Sequence, residues 1–206
     1  MSGLFITFEG IDGVGKSTQA DLLEAYLTQL GNEVIRTCEP GGTELGLEIR
    51  QLLLHRKGEV APRAEALLFA ADRAHHVATK IRPALAEGKV VISDRYFDSS
   101  VAYQGAGRAL SMEDVRQVSI WAVDGLLPQL TVLLDLDAAS ARARRNTTGE
   151  APDRIEREKI EYFEATRQAF LRLAAAEPDR FFVVDANQSL EVMQAQIRAR
   201  VNQLLG

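Results

Sequence analysis

The sequence predicts an α/β fold in which helices cover both faces of a parallel sheet. Short apolar runs alternate along the chain with longer segments of helical pattern. The runs are too apolar for strands with one face in water, so both faces of the sheet are expected to be covered. The segments between the runs supply the crossovers that join parallel strands.

The strand candidates are the five short apolar runs. The first has no basic segment before it, so it is interpreted as a strand and not as a signal peptide. In a parallel sheet the carboxyl ends of the strands share an edge, and ligands bind there. The predicted strands are 4–8, 33–37, 89–93, 131–136 and 181–184.

Helices are predicted between these strands. Gly31 is a good stop for the first, and Ser111 followed by Asp114 is typical of a helix start. Pro83 is expected to break the second near Arg82. The predicted helices are 17–30, 63–86, 111–123, 165–176 and 189–205.

Composition excludes several classes of protein. The 206 residues are 46% hydrophobic and 26% charged, which suits one folded domain and excludes long disorder. The net charge of -5 argues against coating of nucleic acid by bulk charge. One cysteine excludes an internal disulfide, and no apolar run approaches the roughly 20 residues of a membrane helix. A cytoplasmic protein with neither a nucleic-acid polymer nor a membrane as partner is expected.

A phosphate-binding loop is the strongest motif. The pattern G-x-x-x-x-G-K-[ST] lies between the first predicted strand and helix, where its backbone N–H groups can face phosphate oxygens. Lys16 is predicted to reach the β- and γ-phosphates of ATP, and Ser17 to offer its hydroxyl to Mg²⁺. The predicted ATP-binding residues are Gly10, Ile11, Asp12, Gly13, Val14, Gly15, Lys16, Ser17 and Thr18.

A phosphate loop alone does not separate a kinase from a switch or a motor. The chain has no guanine-reading N-K-x-D segment, and 22.7 kDa is small for a motor or clamp ATPase. Phosphoryl transfer to a small molecule fits better, and it needs an acceptor site, charge neutralisation and closure against water.

Two segments could contribute to an acceptor site. Residues 39–43 combine Pro with two Gly after the second predicted strand, and Arg50 lies about two helical turns further on. Phe69 and Arg73 share a helix face, and a ring beside a guanidinium suits a planar base. An ordinary loop, and a core Phe beside a surface Arg, remain the alternative interpretations.

The segment after the third predicted strand places acidic and basic residues at the sheet edge. Asp94 could hold Mg²⁺ or its water, Arg95 an acceptor phosphate, and Tyr103 and Gln104 could meet sugar and base. An Asp–Arg ion pair without a substrate role is the alternative. Asp135 also follows an apolar run, but Asp94 is favoured because the other acceptor residues follow it directly.

A lid is predicted over about residues 142–154. Three of its arginines, Arg142, Arg144 and Arg145, lie between Asp137 and Glu150 in a stretch that contains no acidic residue, and the sequence Asn-Thr-Thr-Gly is typical of a loop. Such a segment could bring an arginine to the phosphoryl group. A solvated basic turn is the alternative.

Together these segments resemble the thymidylate kinase (dTMP kinase) family over nearly the whole chain. The most specific part is Asp94-Arg95-Tyr96 with Ser99 and Tyr103-Gln104 beyond it, and Glu-Pro-Gly-Gly-Thr upstream. The resemblance implies a P-loop fold of nucleoside monophosphate kinase type, with a five-stranded parallel sheet flanked by helices and a short lid. It also implies conversion of dTMP to dTDP by ATP and Mg²⁺, usually in a homodimer.

The resemblance further implies roles for single residues. Phe69 would stack on thymine and Arg73 would hydrogen-bond its edge. Tyr103 would pack on the deoxyribose, Arg95 would hold the acceptor phosphate, and Asp12 would meet the 3′-hydroxyl or Arg95. The implied metal residues are Ser17 and Asp94, and the implied dTMP residues are Asp12, Glu39, Pro40, Arg50, Phe69, Arg73, Arg95, Ser99, Ser100, Tyr103 and Gln104.

One departure concerns the catalytic arginine. Eukaryotic members of the family carry an arginine inside the phosphate loop, whereas the corresponding stretch Asp12-Gly13-Val14 contains none. The chain therefore resembles the bacterial class, in which the lid supplies the catalytic arginine. The acceptor phosphate oxygen is already charged, so no general base is required. The implied catalytic residues are Lys16, Arg95 and, as alternatives within the lid, Arg142, Arg144, Arg145 and Arg154.

Two other functions stay open. One is a small P-loop kinase for another nucleotide or for a nucleoside, although Arg50 and Arg95 favour a phosphorylated acceptor. The other is a non-catalytic nucleotide-binding switch, which would bind ATP without acceptor-dependent turnover. Outside these segments, Trp121 is predicted to lie in the core or a subunit interface, and His76 is interpreted as a surface or packing residue.

Overall fold

The computed structural model describes residues 3–108, 110–147, 149 and 151–205. The strands are β1 (Leu4–Glu9), β2 (Val34–Cys38), β3 (Val90–Asp94), β4 (Leu130–Asp135) and β5 (Phe181–Asp185). Each strand begins and ends within one residue of its predicted bounds. Over the described residues the five parallel strands form one sheet in the order β2-β3-β1-β4-β5, which confirms the predicted α/β fold.

Helices connect the strands. The helices are α1 (Lys16–Gln29), α2 (Glu44–Arg50), α3 (Pro62–His76), α4 (Arg82–Ala86), α5 (Phe97–Ser100), α6 (Met112–Ala122), α7 (Ala138–Asn146), α8 (Ile160–Ala176) and α9 (Leu190–Leu205). The sequence did not predict the short helices α2, α5 and α7, and α8 begins before its predicted start. Three π-helical segments extend α2, α3 and α5: Gln51–His55, Val77–Ile81 and Val101–Gly107.

The predicted break at Pro83 is wrong. The chain stays helical from α3 through the π-helical segment Val77–Ile81 into α4, where Pro83 lies in the first turn. Proline is tolerated there because a first-turn N–H has no intrahelical partner to lose. The predicted start at Ser111 is confirmed, since its hydroxyl accepts from Asp114 N at 3.2 Å.

The core prediction for Trp121 is also wrong. On α6 the buried side chains are Val115, Ser119 and Ala122, and the Trp121 ring lies off that face with 82% of its surface exposed. A place in a subunit interface stays a prediction. Within the described ranges, no helix has both the length and the apolar character needed to cross a membrane.

The carboxyl edge of the sheet brings three distant segments together. In the parallel register Asp94 pairs with Phe8 of β1 on one side and with Cys38 of β2 on the other. The phosphate loop, residues 39–43 and Arg95 therefore leave the sheet side by side.

Candidate active site

The phosphate loop joins β1 to α1 and packs against α7. Gly15 stands at the start of α1 with φ 95°, a left-handed conformation that side chains disfavour. A Cβ on Gly13 would lie 2.1 Å from the Ala141 carbonyl oxygen, so only glycine lets α7 approach the loop this closely. Lys16 is buried, and its Nζ donates to the Ile11 carbonyl at 2.9 Å, which keeps the ammonium beside the loop.

Ser17 and Asp94, the residues expected to hold the metal, are in contact. The Ser17 hydroxyl donates to Asp94 Oδ2 at 2.6 Å. Arg36 Nη2 lies 3.9 Å from the same oxygen, and sequence reasoning missed this cation, whose only signal is its place on β2 near the sheet edge. The Asp135 carboxylate instead accepts from Arg167 Nε at 2.7 Å. Of the two acidic candidates, Asp94 is therefore the one that contacts the phosphate loop.

Arg95 connects the phosphate loop with the acceptor segments. Its Nη2 donates to Asp12 Oδ1 at 2.6 Å and to the Tyr103 hydroxyl at 3.0 Å, while Nη1 donates to the Gly10 carbonyl and to Ser99 Oγ, both at 3.0 Å. Burial would raise the pKa of Asp12, but Arg95 and a nearby lysine outweigh it and lower that pKa to about 2. Asp12 is therefore a carboxylate that pairs with Arg95.

Glu9, which was not identified from the sequence, binds Ser99, one of the residues that contact Arg95. Its fully buried carboxyl group accepts from Tyr96 N at 2.8 Å and from Ser99 Oγ at 2.5 Å. Burial, with the nearby charge of Asp98, raises the pKa of Glu9 to about 8. Its one sequence signal is an acidic residue at the end of an otherwise apolar strand.

A small cavity of about 150 Å³ lies beyond Arg95. The ring of Phe69 and the guanidinium of Arg73, which are expected to meet a base, line this cavity together with hydroxyl and amide groups. The interpretation of Arg73 as a surface residue is wrong, because its side chain is 1% exposed. Residues predicted for acceptor binding that line the cavity include Phe69, Arg73, Ser99, Ser100, Tyr103 and Gln104.

The loop after β2 holds Arg73 in place. Arg73 Nε donates to Glu39 Oε2 at 2.7 Å, and the other carboxylate oxygen lies 2.9 Å from His76 Nδ1. Glu39 therefore lines the cavity but acts through Arg73. Arg50 returns to the same cleft, as expected, and donates to the Pro40 carbonyl at 2.8 Å.

A larger cavity of about 790 Å³ adjoins the phosphate loop. The two residues expected to hold the metal, the phosphate-loop lysine and three arginines are among the groups that line it. These residues are Lys16, Ser17, Asp94, Arg95, Arg144 and Arg145.

The lid arginines do not converge on one point. Arg145 lies beside the loop, since its Cβ would be 3.1 Å from a Cβ on Gly13, and its guanidinium binds Glu156 at 2.6 and 3.0 Å. Arg144 donates to the Ala186 carbonyl at 2.8 Å, and Arg142 donates to the Glu158 carbonyl at 2.6 Å. Arg142 does not line the larger cavity; it lines an adjoining cavity of about 370 Å³, which Arg145 also lines.

Arg154 is turned toward the acceptor end of the site. Its Nε donates to the Leu53 carbonyl at 2.7 Å, and its Nη2 binds the Glu65 carboxylate. Two positions of the predicted lid, Thr148 and Glu150, lie outside the described residues.

Comparisons with known proteins agree on one family. The family model described as "Thymidylate kinase" matches residues 8–197. The chain is 60% identical over 205 residues to a thymidylate kinase of Clavibacter sepedonicus, covering 100% of this chain and 97% of that protein. It is 62% identical over 200 residues to a thymidylate kinase of Leifsonia xyli, covering 97% and 95%. A crystal structure of thymidylate kinase from Ehrlichia chaffeensis superposes with a TM-score of 0.80, at 30% identity over 98% of this chain and 99% of that one.

Proposed function

The chain belongs to the thymidylate kinase family, and from this premise we propose that it transfers the γ-phosphoryl group of ATP to dTMP, giving ADP and dTDP. The observation that carries the proposal is that the larger and the smaller cavity share lining residues. A nucleotide with its base beside Phe69 and Arg73 would have its phosphate at the junction, facing the phosphate loop. The shared residues include Asp12, Glu39, Pro40, Arg50 and Arg95.

The phosphates of ATP bind the loop and Lys16. Ser17 and Asp94 suit Mg²⁺, because their oxygens lie 2.6 Å apart beside the loop and Mg²⁺ prefers oxygen ligands. When bound, Mg²⁺ neutralises negative charge on the phosphate oxygens during transfer. Lys16 supplies a further positive charge that the fold holds in place.

Arg95 positions the acceptor. Its guanidinium is fixed by Asp12 and Ser99 before a substrate arrives, so little orientation remains to be lost on binding. The acceptor phosphate oxygen attacks the γ-phosphorus as the bond to the β-phosphate oxygen breaks. The Tyr103 hydroxyl donates to Asp12 Oδ2 at 3.1 Å, and this pair would face the sugar.

Arg145 is the lid arginine that we assign to the transferring group. It lines the larger cavity together with Lys16 and Asp94 and lies beside Gly13 of the phosphate loop. Arg144 lines the same cavity but donates to the Ala186 carbonyl, and Arg154 is bound to Glu65 at the acceptor end. The ion pair with Glu156 would exchange for phosphate oxygens when ATP binds. The lid over about residues 142–154 thus belongs to a single kinase domain spanning 1–206.

A homodimer in the cytoplasm completes the proposal. Trp121 and Leu67 are 82% and 59% exposed on α6 and α3, which pack against each other, and such apolar groups favour a partner surface. The cytoplasm is where ATP and nucleotide precursors are available.

Initial rates of ADP formation test the reaction. The enzyme is given ATP, Mg²⁺ and one acceptor at a time from dTMP, dUMP, dCMP, AMP, GMP and thymidine. The proposal expects the highest kcat/KM with dTMP, and little turnover with thymidine because Arg95 would lack its phosphate. A clear preference for another acceptor, or ATP binding without acceptor-dependent turnover, would contradict it.

A further inference from the structure

Glu65 is a fully buried carboxylate in the first turn of α3 that the proposed reaction does not use. It accepts from Gln104 Nε2 at 3.0 Å and from Arg108 Nε at 3.1 Å, and it also binds Arg154 Nη2. Burial would raise the pKa of Glu65, but hydrogen bonds from Arg108, Gln104 and Arg154 outweigh it and lower that pKa. Glu65 is therefore ionised at neutral pH.

The charge on Glu65 decides which way the Gln104 amide faces. An ionised carboxylate only accepts hydrogen bonds, so the NH₂ group of Gln104 must point to it. The amide oxygen, Oε1, is then left for the cavity that Gln104 lines beside Phe69. No donor among the described residues reaches this oxygen.

Arg73 supplies the matching donor in the same cavity. Its Nε is taken by Glu39 and its Nη2 by Ser100 Oγ at 3.1 Å. Its Nη1 is buried and finds no hydrogen-bond acceptor in the described part of the chain. Arg73, whose buried Nη1 lacks a partner, and Gln104 thus line the same small cavity, and a buried polar group left without a partner is costly.

This pair matches the imide edge of thymine. That edge presents a carbonyl oxygen to a donor and an N–H to an acceptor. The corresponding edge of cytosine presents an amino group and an unprotonated ring nitrogen, which reverses both roles.

We propose that Glu65 is a positioning residue for acceptor choice: by binding the NH₂ group of Gln104, it fixes the amide oxygen toward the base and so excludes cytosine. Without it, the amide could rotate and offer NH₂ to the ring nitrogen of cytosine. With it, rotation would set the amide oxygen against a carboxylate, two acceptors face to face. This inference rests on the proposed function.

The test compares kcat/KM for dTMP and for 5-methyl-dCMP, which has the same methyl group and the reversed edge. In Glu65→Gln the amide at position 65 accepts either orientation of Gln104, so the dTMP to 5-methyl-dCMP ratio should fall by about tenfold or more. A merely structural role would lower both values together. A ratio within about twofold of wild type would overturn the inference.

Two further variants separate Gln104 from the ion pairs. Arg108→Gln removes another partner of Glu65 and should leave the ratio unchanged; a fall as large as that of Glu65→Gln would overturn the inference. In a Gln104→Leu background, Glu65→Gln should no longer change the ratio, and a continued tenfold change (on the order of 1.4 kcal/mol of coupling) would also overturn it.

Melting curves verify that each variant folds. If Glu65→Gln does not fold, Glu65→Asp takes its place, because aspartate keeps the charge that both arginines bind but its shorter side chain withdraws the carboxylate from Gln104. The same changes in the dTMP to 5-methyl-dCMP ratio of kcat/KM then support or overturn the inference. A wild-type enzyme that prefers another acceptor would refute the proposed function. A wild-type enzyme that prefers dTMP, with an unchanged ratio in the variant, would refute only the role of Glu65.

Discussion

Replacing Arg180 by Met should destabilise the protein by about 3–5 kcal/mol. Arg180 donates to the two oxygens of Asp98 at 2.6 and 3.0 Å and to Thr131 Oγ1 at 2.7 Å. Asp98 is fully buried in α5, the turn that carries Ser99 and Ser100. The substitution leaves a buried carboxylate without its ion-pair partner, which is the costly half of breaking such a pair.

The loss should grow with pH. Burial already raises the pKa of Asp98 in spite of Arg180, and removing Arg180 raises it further. The folded variant then binds a proton more tightly than the unfolded chain does. Its stability is therefore highest below the ordinary pKa of a carboxyl group and falls as the pH rises through the raised pKa, so the difference from wild type is larger at pH 8 than at pH 5.

Urea unfolding followed by circular dichroism measures this free energy at each pH. For a chain of this length the predicted loss lowers Tm by about 6–20 °C. Adding Asp98→Asn should recover most of it, because no buried charge remains. Arg116→Met, which removes an exposed arginine 3.4 Å from Glu177, is the control and should cost less than about 1 kcal/mol. The reasoning would be refuted if Arg180→Met lowered the free energy of unfolding by less than about 1 kcal/mol. It would also be refuted if the double variant Arg180→Met/Asp98→Asn were no more stable than Arg180→Met alone.

Three further predictions concern the site. Arg145→Ala should lower kcat by about 10³, as loss of other transition-state arginines does, while Arg157→Ala, which removes an exposed arginine just beyond the lid, should change kcat little. Near-normal turnover of Arg145→Ala in stopped-flow assays would exclude our assignment. Phe69→Ala should lower kcat/KM for dTMP by about 5- to 150-fold through lost stacking, measured by steady-state kinetics, and an unchanged value would place the base elsewhere. Burial, and after it the charge of Glu39, raises the pKa of Asp72 to about 6, so the folded state favours the protonated form and the free energy of unfolding falls as pH rises from about 4 to 6. Asp72→Asn should therefore raise the free energy of unfolding, measured in urea, by about 1–3 kcal/mol at pH 7.5 and by little at pH 4. Equal effects at the two pH values would contradict the predicted direction.

The sheet and the convergence of the motifs were predictable because local patterns encode both. Apolar runs fix the strands to within a residue. The phosphate loop follows β1 and Arg95 follows β3, so parallel pairing alone brings them to one edge. Short-range spacing also put Phe69 and Arg73 on one face of a helix.

What escaped prediction depends on contacts between distant parts of the chain. Glu65 is an ordinary acidic residue at a helix start until the fold brings Gln104 and Arg154 to it. Helical spacing gave Trp121 an apolar face, but the side of α6 that packs is set by neighbouring elements. The choice among lid arginines likewise required knowing that Arg154 lies at the acceptor end.

A competition experiment tests the central claim most directly. The wild-type enzyme receives ATP, Mg²⁺ and an equimolar mixture of dTMP, dUMP, dCMP, AMP and GMP, and mass spectrometry follows the diphosphates at low conversion. Their proportions give the ratios of kcat/KM in one vessel. The account predicts dTDP as the dominant product and dCDP as a minor one. A mixture led by another diphosphate, or one in which dCDP matches dTDP, would contradict it.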